Sequence, residues 1–183
     1  MQRKSLNGKK VFLCPWKTSD AKTLRDLVFD KSIARYTTIP FPYKLKHAKE
    51  YIRESSKKFR KKEEFHFGIF FKETGELVGD ISIIRTEWKH KKAEIGYWLG
   101  KKFRKKGLMT EAVQLMLEFA FKKLKLNRVK ICCSTKNKAS KKVIERSGAK
   151  YEGTERDALI DGLGKKHDTL VYSVLAKEWK KKR

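Results

Sequence analysis

Between a strand-like run and a long helical run, the chain reads Gly100-Lys101-Lys102-Phe103-Arg104-Lys105-Lys106-Gly107-Leu108-Met109-Thr110-Glu111-Ala112. Residues 93–99 supply the strand. Residues 107–124 carry Leu108, Ala112, Met116, Phe119 and Ala120 at the spacing of one helix face. A glycine-containing turn from strand to helix aims backbone N–H groups at whatever lies above the helix N-terminus. The helix dipole adds positive potential at the same place. The segment therefore reads as a phosphate site. It is not a Walker A loop, because GxxxxGK[ST] is absent. It is not a dinucleotide fingerprint, because GxGxxG is absent.

The remaining residues build an α/β domain around this turn. Residues 11–14 read as a first strand. Thr18 or Ser19 can cap a helix carrying Leu24, Leu27 and Val28. Ile39-Pro40-Phe41-Pro42 breaks the chain, and a second helix follows over about residues 46–60, with Ala48, Tyr51, Ile52 and Phe59 on one side. Residues 65–71 and 77–84, joined by Glu73-Thr74-Gly75-Glu76, read as a hairpin. Residues 128–134 form a fifth strand. Residues 137–147 form a short helix ended by Gly148. Residues 151–156 and 168–175 form a last strand pair around Asp161-Gly162. The order β-α-α-β-β-β-α-β-α-β-β predicts about seven strands flanked by about four helices. No repeat or linker divides the 183 residues. One domain over residues 1–183 is expected, with basic, loose ends near 1–8 and 178–183.

The net charge is +26. Such a charge attracts RNA, ribosomes or acidic partners. Solvated lysine-rich helix faces produce it equally well, and no RNP1 motif is present. Apolar residues make up 39%, enough for one core, and no apolar run is long enough to span a bilayer. Residues 1–10 lack the apolar centre of a signal peptide, so a cytoplasmic location is expected. Cys14, Cys132 and Cys133 make neither a disulfide framework nor a metal pattern. As strand neighbours, Cys132 and Cys133 point to opposite faces. His66, His90 and His167 have no metal or triad spacing, so no metal is expected.

The basic turn resembles motif A of the GNAT acyl-CoA N-acyltransferases, [QR]xxGx[GA]. Arg104, Gly107 and Met109 take its places, Met109 departing from the usual small residue. Ala93-Glu94-Ile95-Gly96-Tyr97-Trp98-Leu99, Asn137-Lys138-Ala139-Ser140 and Ile144-Glu145-Arg146-Ser147-Gly148-Ala149-Lys150-Tyr151-Glu152-Gly153 continue the likeness in order. Together they resemble the ribosomal-protein N-terminal acetyltransferase branch. The resemblance implies a mixed, mostly antiparallel sheet whose fourth and fifth strands splay around acetyl-CoA. It implies transfer of acetyl to a primary amine by direct attack in a ternary complex, the acceptor being the α-amine of a protein of ribosomal type. A small amine (polyamine, amino acid or antibiotic) is an alternative acceptor. A non-catalytic basic module binding RNA or ribosome is the alternative from another class. Oligomeric state is left open.

The same resemblance assigns roles. The turn of Arg104, Lys105, Lys106, Gly107, Leu108, Met109 and Thr110 would hold the pyrophosphate. Backbone near Trp98 and Leu99 would pair with the pantetheine arm, and an N–H there would polarise the acetyl carbonyl. Asn137 would reach the pantetheine or the acceptor, while also fitting an N-cap. Many relatives carry a tyrosine seven residues after that asparagine to protonate the leaving thiolate; here the position is Ile144. Ser140, one turn along, is the remaining hydroxyl, or a small residue packed on the coenzyme. Glu94 can accept the amine proton or form a salt bridge to a lysine. A glutamate found in some relatives is replaced by Leu159, with Asp157 nearby. Glu152, Glu155, Asp157, Asp161 and Asp168 either draw a cationic acceptor or pair within the sheet. Tyr97 and Trp98 alternate, so one faces the core and the other the cleft.

Overall fold

The computed structural model describes residues 5–181. The chain runs β1 (Leu6–Asn7), β2 (Val11–Pro15), α1 (Ala21–Val28), α2 (Lys31–Ala34), α3 (Leu45–Lys61), β3 (Phe65–Phe71), β4 (Leu77–Glu87) and β5 (Lys92–Leu99). It continues through α4 (Leu108–Glu118), β6 (Arg128–Ser134), α5 (Lys138–Arg146), β7 (Lys150–Ile160), β8 (Lys166–Leu175) and α6 (Ala176–Lys181). All strands join one sheet, in the order β1-β2-β3-β4-β5-β6-β8-β7. Neighbours are antiparallel except β5 and β6, which are parallel. The mixed, mostly antiparallel sheet is the expected one.

The count is eight strands and six helices among the described residues, not about seven and four. The additions are too short for periodicity to reveal. β1 has two residues and pairs Leu6 with Leu13. α2 is one turn, capped by the Asp30 carboxylate accepting the Ser32 N–H at 2.8 Å. α6 replaces the loose end expected from 178: Trp179 is buried, its ring 5.6 Å from that of Phe121. Residues 1–4, 182 and 183 lie outside the described part. Thr18 and Ser19 do not cap α1. They form a 3-10 turn closed by Asp20, whose carboxylate accepts the Lys17 N–H at 2.9 Å. After α4 the helix widens into a π-turn over Phe119–Lys123.

Strand alternation decides the two faces of the sheet. Phe65, Phe67, Ile69, Ile81, Ile83, Ala93, Ile95, Val129 and Ile131 turn one way, onto Leu108, Ala112, Val113, Met116 and Leu117 of α4. Phe59, Phe65, Phe67 and Phe119 meet edge to face there, with centroids 5.2–6.2 Å apart. On the opposite face, α1 and α3 cover a smaller cluster containing Trp16, Leu24, Val28, Tyr43, Ala48, Ile52 and Leu77. That cluster ends at Trp98. Farther across the same face, alternation places Glu94, Gly96, Lys130 and Cys132, so the sheet surface turns polar at β5 and β6.

Candidate active site

β5 and β6 pair from Lys92–Arg128 to Ile95–Ile131, and the ladder stops there. β5 nevertheless continues along β4, with Gly96 opposite Ser82, Tyr97 opposite Ile81, Trp98 opposite Asp80 and Leu99 opposite Gly79. β6 continues along β8, with Cys132 opposite Val171 and Cys133 opposite Leu170. Each strand is held from outside while the two part. The result is a wedge lined by backbone, the splay expected between the fourth and fifth strands.

Register decides which peptide groups line it. Gly100 donates its N–H to Val78 O at 2.9 Å. In an antiparallel ladder alternate residues share that direction. Gly96 and Trp98 therefore point their peptide groups at β4, and Tyr97 and Leu99 point theirs into the opening. Near Trp98 and Leu99 it is thus the peptide groups of Tyr97 and Leu99 that face the wedge, while those of Trp98 face β4. A Cβ on Gly79 would stand 2.4 Å from Trp98 O, so glycine allows this close approach of β4 to β5. The Leu99 carbonyl already accepts Arg104 Nε at 3.1 Å.

At one end of the wedge stands the N-terminus of α4. Its N-cap is Gly107, at φ 81°, and no side chain caps it. The first-turn N–H groups have no intrahelical acceptor. Lys105, at φ 65°, and Gly107 are both left-handed, a backbone shape that gathers N–H groups into an anion-binding concavity. The one acid of the first turn, Glu111, is engaged elsewhere: its carboxylate accepts the backbone N–H groups of Lys9 and Lys10. Leu108 and Met109 bury their side chains in the core, and Thr110 is half-buried.

The basic residues of the turn do not act alike. Arg104 reaches back to Ser32 Oγ at 2.9 Å as well as to Leu99, so its guanidinium fixes the turn to α2 and β5. Lys102 pairs with Glu76 at 2.9 Å on the far side. Lys10, which sequence reading passed over, sends its ammonium to the turn. Its Nζ lies 3.4 Å from Lys106 O and 3.9 Å from where a Cβ on Gly107 would stand.

Hydroxyls gather on the α4–α5 side of the wedge. Asn137 is the N-cap of α5, its Oδ1 accepting the Ser140 N–H at 3.1 Å. Ser140 Oγ lies 2.9 Å from the Tyr97 hydroxyl. Burial holds the Tyr97 pKa well above the usual phenol value. Cys133 lies in the same pocket of side chains, its thiol pushed up to about 11 by burial, with the Ser140 hydroxyl opposing that shift. Ile144 is fully buried in the core and offers no polar atom.

Glu94 stands on the other face. It pairs with Arg85 Nη1 at 2.9 Å and Lys130 Nζ at 3.5 Å, as the salt-bridge reading expected. Both cations contact Oε2, so Oε1 could receive a proton with those pairs intact. Gly96, between Glu94 and Trp98, leaves a hollow on this face: a Cβ there would meet only Ile84, at 3.7 Å. Cys132 shares the face, its thiol pushed up to about 11 by burial, with Glu94 adding to the shift.

The acidic run is mostly paired. Glu152 binds Arg128, which holds its carboxyl down at about 2, and accepts the Ser173 hydroxyl at 2.7 Å. Buried Asp161 bonds His167 Nε2 at 2.7 Å, and Asp168 accepts the Asp157 N–H at 2.9 Å. Asp157 is also 3.9 Å from Lys166, and Leu159 is half-buried.

A surface cavity of about 580 Å³ lies apart from the wedge, lined by Asp20, Thr23, Asp26, Phe70, Glu76 and Lys102 among others. Of the turn at the end of the wedge, Lys102 alone among the described residues reaches it. Among the described residues no three of His, Cys, Asp and Glu gather as a metal centre. No helix among them is long and apolar enough to cross a membrane.

Residues 10–150 match the family described as the acetyltransferase (GNAT) domain. The chain belongs to the GNAT acetyltransferase family. YjcK of Bacillus subtilis (strain 168), named as an N-acetyltransferase, is 32% identical over 175 residues, 91% of this chain and 95% of YjcK. YdaF of the same strain, named for ribosomal N-acetyl transfer, is 44% identical over 105 residues, which span 57% of each chain. The acetyltransferase also superposes with a TM-score of 0.87 on RimL, a ribosomal L7/L12 α-N-protein acetyltransferase solved with coenzyme A. That match covers 96% of this chain and 99% of RimL at 21% identity, a likeness of fold.

Proposed function

We propose that this acetyltransferase moves the acetyl group of acetyl-CoA to the N-terminal α-amine of a protein of ribosomal type. The observation that carries the reading is the wedge. Its free peptide edge runs from the uncapped N-terminus of α4 to a polar hollow on the far face. A long thioester with a phosphate head fits that run. The pyrophosphate would lie against the N–H groups of residues 105–110, with Lys10 beside them. The pantetheine would pair with the peptide groups of Tyr97 and Leu99, and one of those N–H groups would polarise the acetyl carbonyl. RimL, solved with coenzyme A, supports this use of the fold.

Transfer would be direct. The amine electron pair attacks the carbonyl, the C–S bond breaks, and its pair stays on sulfur. Ser140 would face the departing sulfur from the α5 side, while Glu94 and the hollow at Gly96 would face the amine from the other. No cysteine nucleophile is needed, and burial keeps Cys132 and Cys133 protonated.

Chemistry and the named relatives favour an α-amine. With a pKa near 7.7–8.0, roughly one α-amine in ten is neutral at pH 7; a lysine amine near 10.4 is neutral in about one in 2,500. A site whose nearest carboxylate is held by two cations suits the acceptor that needs less help. YdaF and RimL carry ribosomal substrates in their names. The surplus of positive charge would favour encounter with a polyanionic ribosome. Labelled acetyl-CoA incubated with the enzyme and cell extract tests the acceptor. Label on protein N-termini, ribosomal ones above all, is expected; label confined to small molecules rejects the protein acceptor.

A further inference from the structure

The helix position at which relatives place a tyrosine is Ile144, fully buried and without a polar atom. A tyrosine reaches the same neighbourhood from a different element. Tyr97 leaves β5 in the part that has parted from β6, and its hydroxyl lies 2.9 Å from Ser140 Oγ. It also reaches the Ser140 carbonyl, at 3.4 Å and so much more weakly, and the Cys133 thiol lies nearby. Ser140 is itself fixed, because its N–H is bound to Asn137 Oδ1. A serine hydroxyl is one donor with two acceptor lone pairs, and its proton is free to rotate. When Tyr97 donates into a Ser140 lone pair, the serine proton is left for another acceptor, the Cys133 sulfur beside it or a sulfur lying in the wedge.

Resting on the acetyl-transfer reading, the geometry points to Tyr97 as a positioning residue that directs the Ser140 hydroxyl at the coenzyme sulfur. As the C–S bond breaks and sulfur takes the electron pair, Ser140 donates its hydrogen bond to the growing thiolate. Tyr97 in turn donates to Ser140, and each bond polarises the next. No net proton leaves either residue. The amine nitrogen releases its surplus proton to solvent and the thiolate gains one from solvent, giving amide and free thiol. Burial of Tyr97 suits this role, since a phenol kept protonated remains a donor.

The test is titration of coenzyme A bound to the enzyme, followed by the ultraviolet band of the thiolate with free enzyme subtracted. A free thiol titrates near 8.5. Cys132 and Cys133, raised to about 11, stay out of that window. In the wild type the bound thiol should titrate below the free one. Tyr97→Phe and Ser140→Ala should each raise it by the same amount, and the double variant no further. In turnover, Tyr97→Phe should lower kcat about tenfold, a loss of about 1.4 kcal/mol, with KM for acetyl-CoA within about twofold. Because the chain of hydroxyls gives a hydrogen bond and no proton, that defect should stay nearly constant between about pH 7 and 9. An unmoved titration, additive defects, or a Tyr97→Phe defect that fades as pH rises, as net proton donation would make it do, would overturn the inference while leaving the acetyl-transfer reading standing. Failure of the wild type to bind coenzyme A would overturn both.

Discussion

Gly107 shows how one residue joins fold to chemistry. Its left-handed φ of 81° turns the chain into α4, and its missing side chain leaves the first-turn N–H groups open. Gly107→Glu puts a β-carbon and a negative charge at the anion site. Helix-terminus attraction is worth about 1–2 kcal/mol when partly buried, so KM for acetyl-CoA should rise at least about tenfold with kcat little changed. Lys10→Ala should raise KM less, by a few fold. Steady-state kinetics at fixed acceptor check both. Glu94→Gln reads the other side of the wedge. If Glu94 takes the amine proton, its defect should vanish as pH rises past the acceptor pKa, where the amine is already neutral. A ratio to wild type that stays constant between about pH 7 and 10 would leave Glu94 as the partner of Arg85 and Lys130 alone.

At the level of elements, periodic segments were legible and contacts between distant segments were not. β3, β5, β6, α3 and α4 announce themselves because buried residues recur every two or every three to four positions. The turn at 100–107 was legible because glycine and lysine there have no core to fill. Lys10 was missed as a neighbour of that turn because the two meet across 96 residues. Tyr97 meets Ser140 across 43 residues, and alternation alone could say only that it or Trp98 faced the core. The register that takes Trp98 backbone out of the wedge is set by the β4–β5 ladder, its phase shown by the hydrogen bond from Gly100 to Val78. Carboxylate pairings escape sequence reading too, whether local like Glu64–His66 or distant like Arg128–Glu152, and these two contribute to acid stability. Glu64 is held at about 2 by its hydrogen bond to His66, with Lys58 helping, and Glu152 at about 2 by Arg128. Both folded values lie below the unfolded value near 4.3. Their stabilisation is therefore complete above about pH 5 and is lost as pH falls through about 2. Arg128→Met should flatten the fall of the unfolding midpoint between about pH 5 and 2, as followed by urea titration at several pH values.

Across the whole molecule, charge and site pull in different directions. The chain carries +26, yet the acids it has are largely placed in pairs, at Glu76, Glu94, Glu152 and Glu178 among others. What remains is self-repulsion, which salt screens over about 10 Å at 0.1 M. The thermal midpoint should rise as ionic strength goes from about 0.01 to 0.1 M; a midpoint that fell would mean that the ion pairs outweigh the repulsion. The account as a whole rests on the wedge between β5 and β6 being the coenzyme site. A crystal structure with acetyl-CoA bound measures that most directly. The thioester should lie in the wedge within hydrogen-bond reach of the Tyr97 or Leu99 N–H, the sulfur facing Ser140, and the pyrophosphate over residues 105–110. Acetyl-CoA lodged instead in the cavity beside Asp20, Asp26 and Glu76, with the wedge empty, would contradict the account.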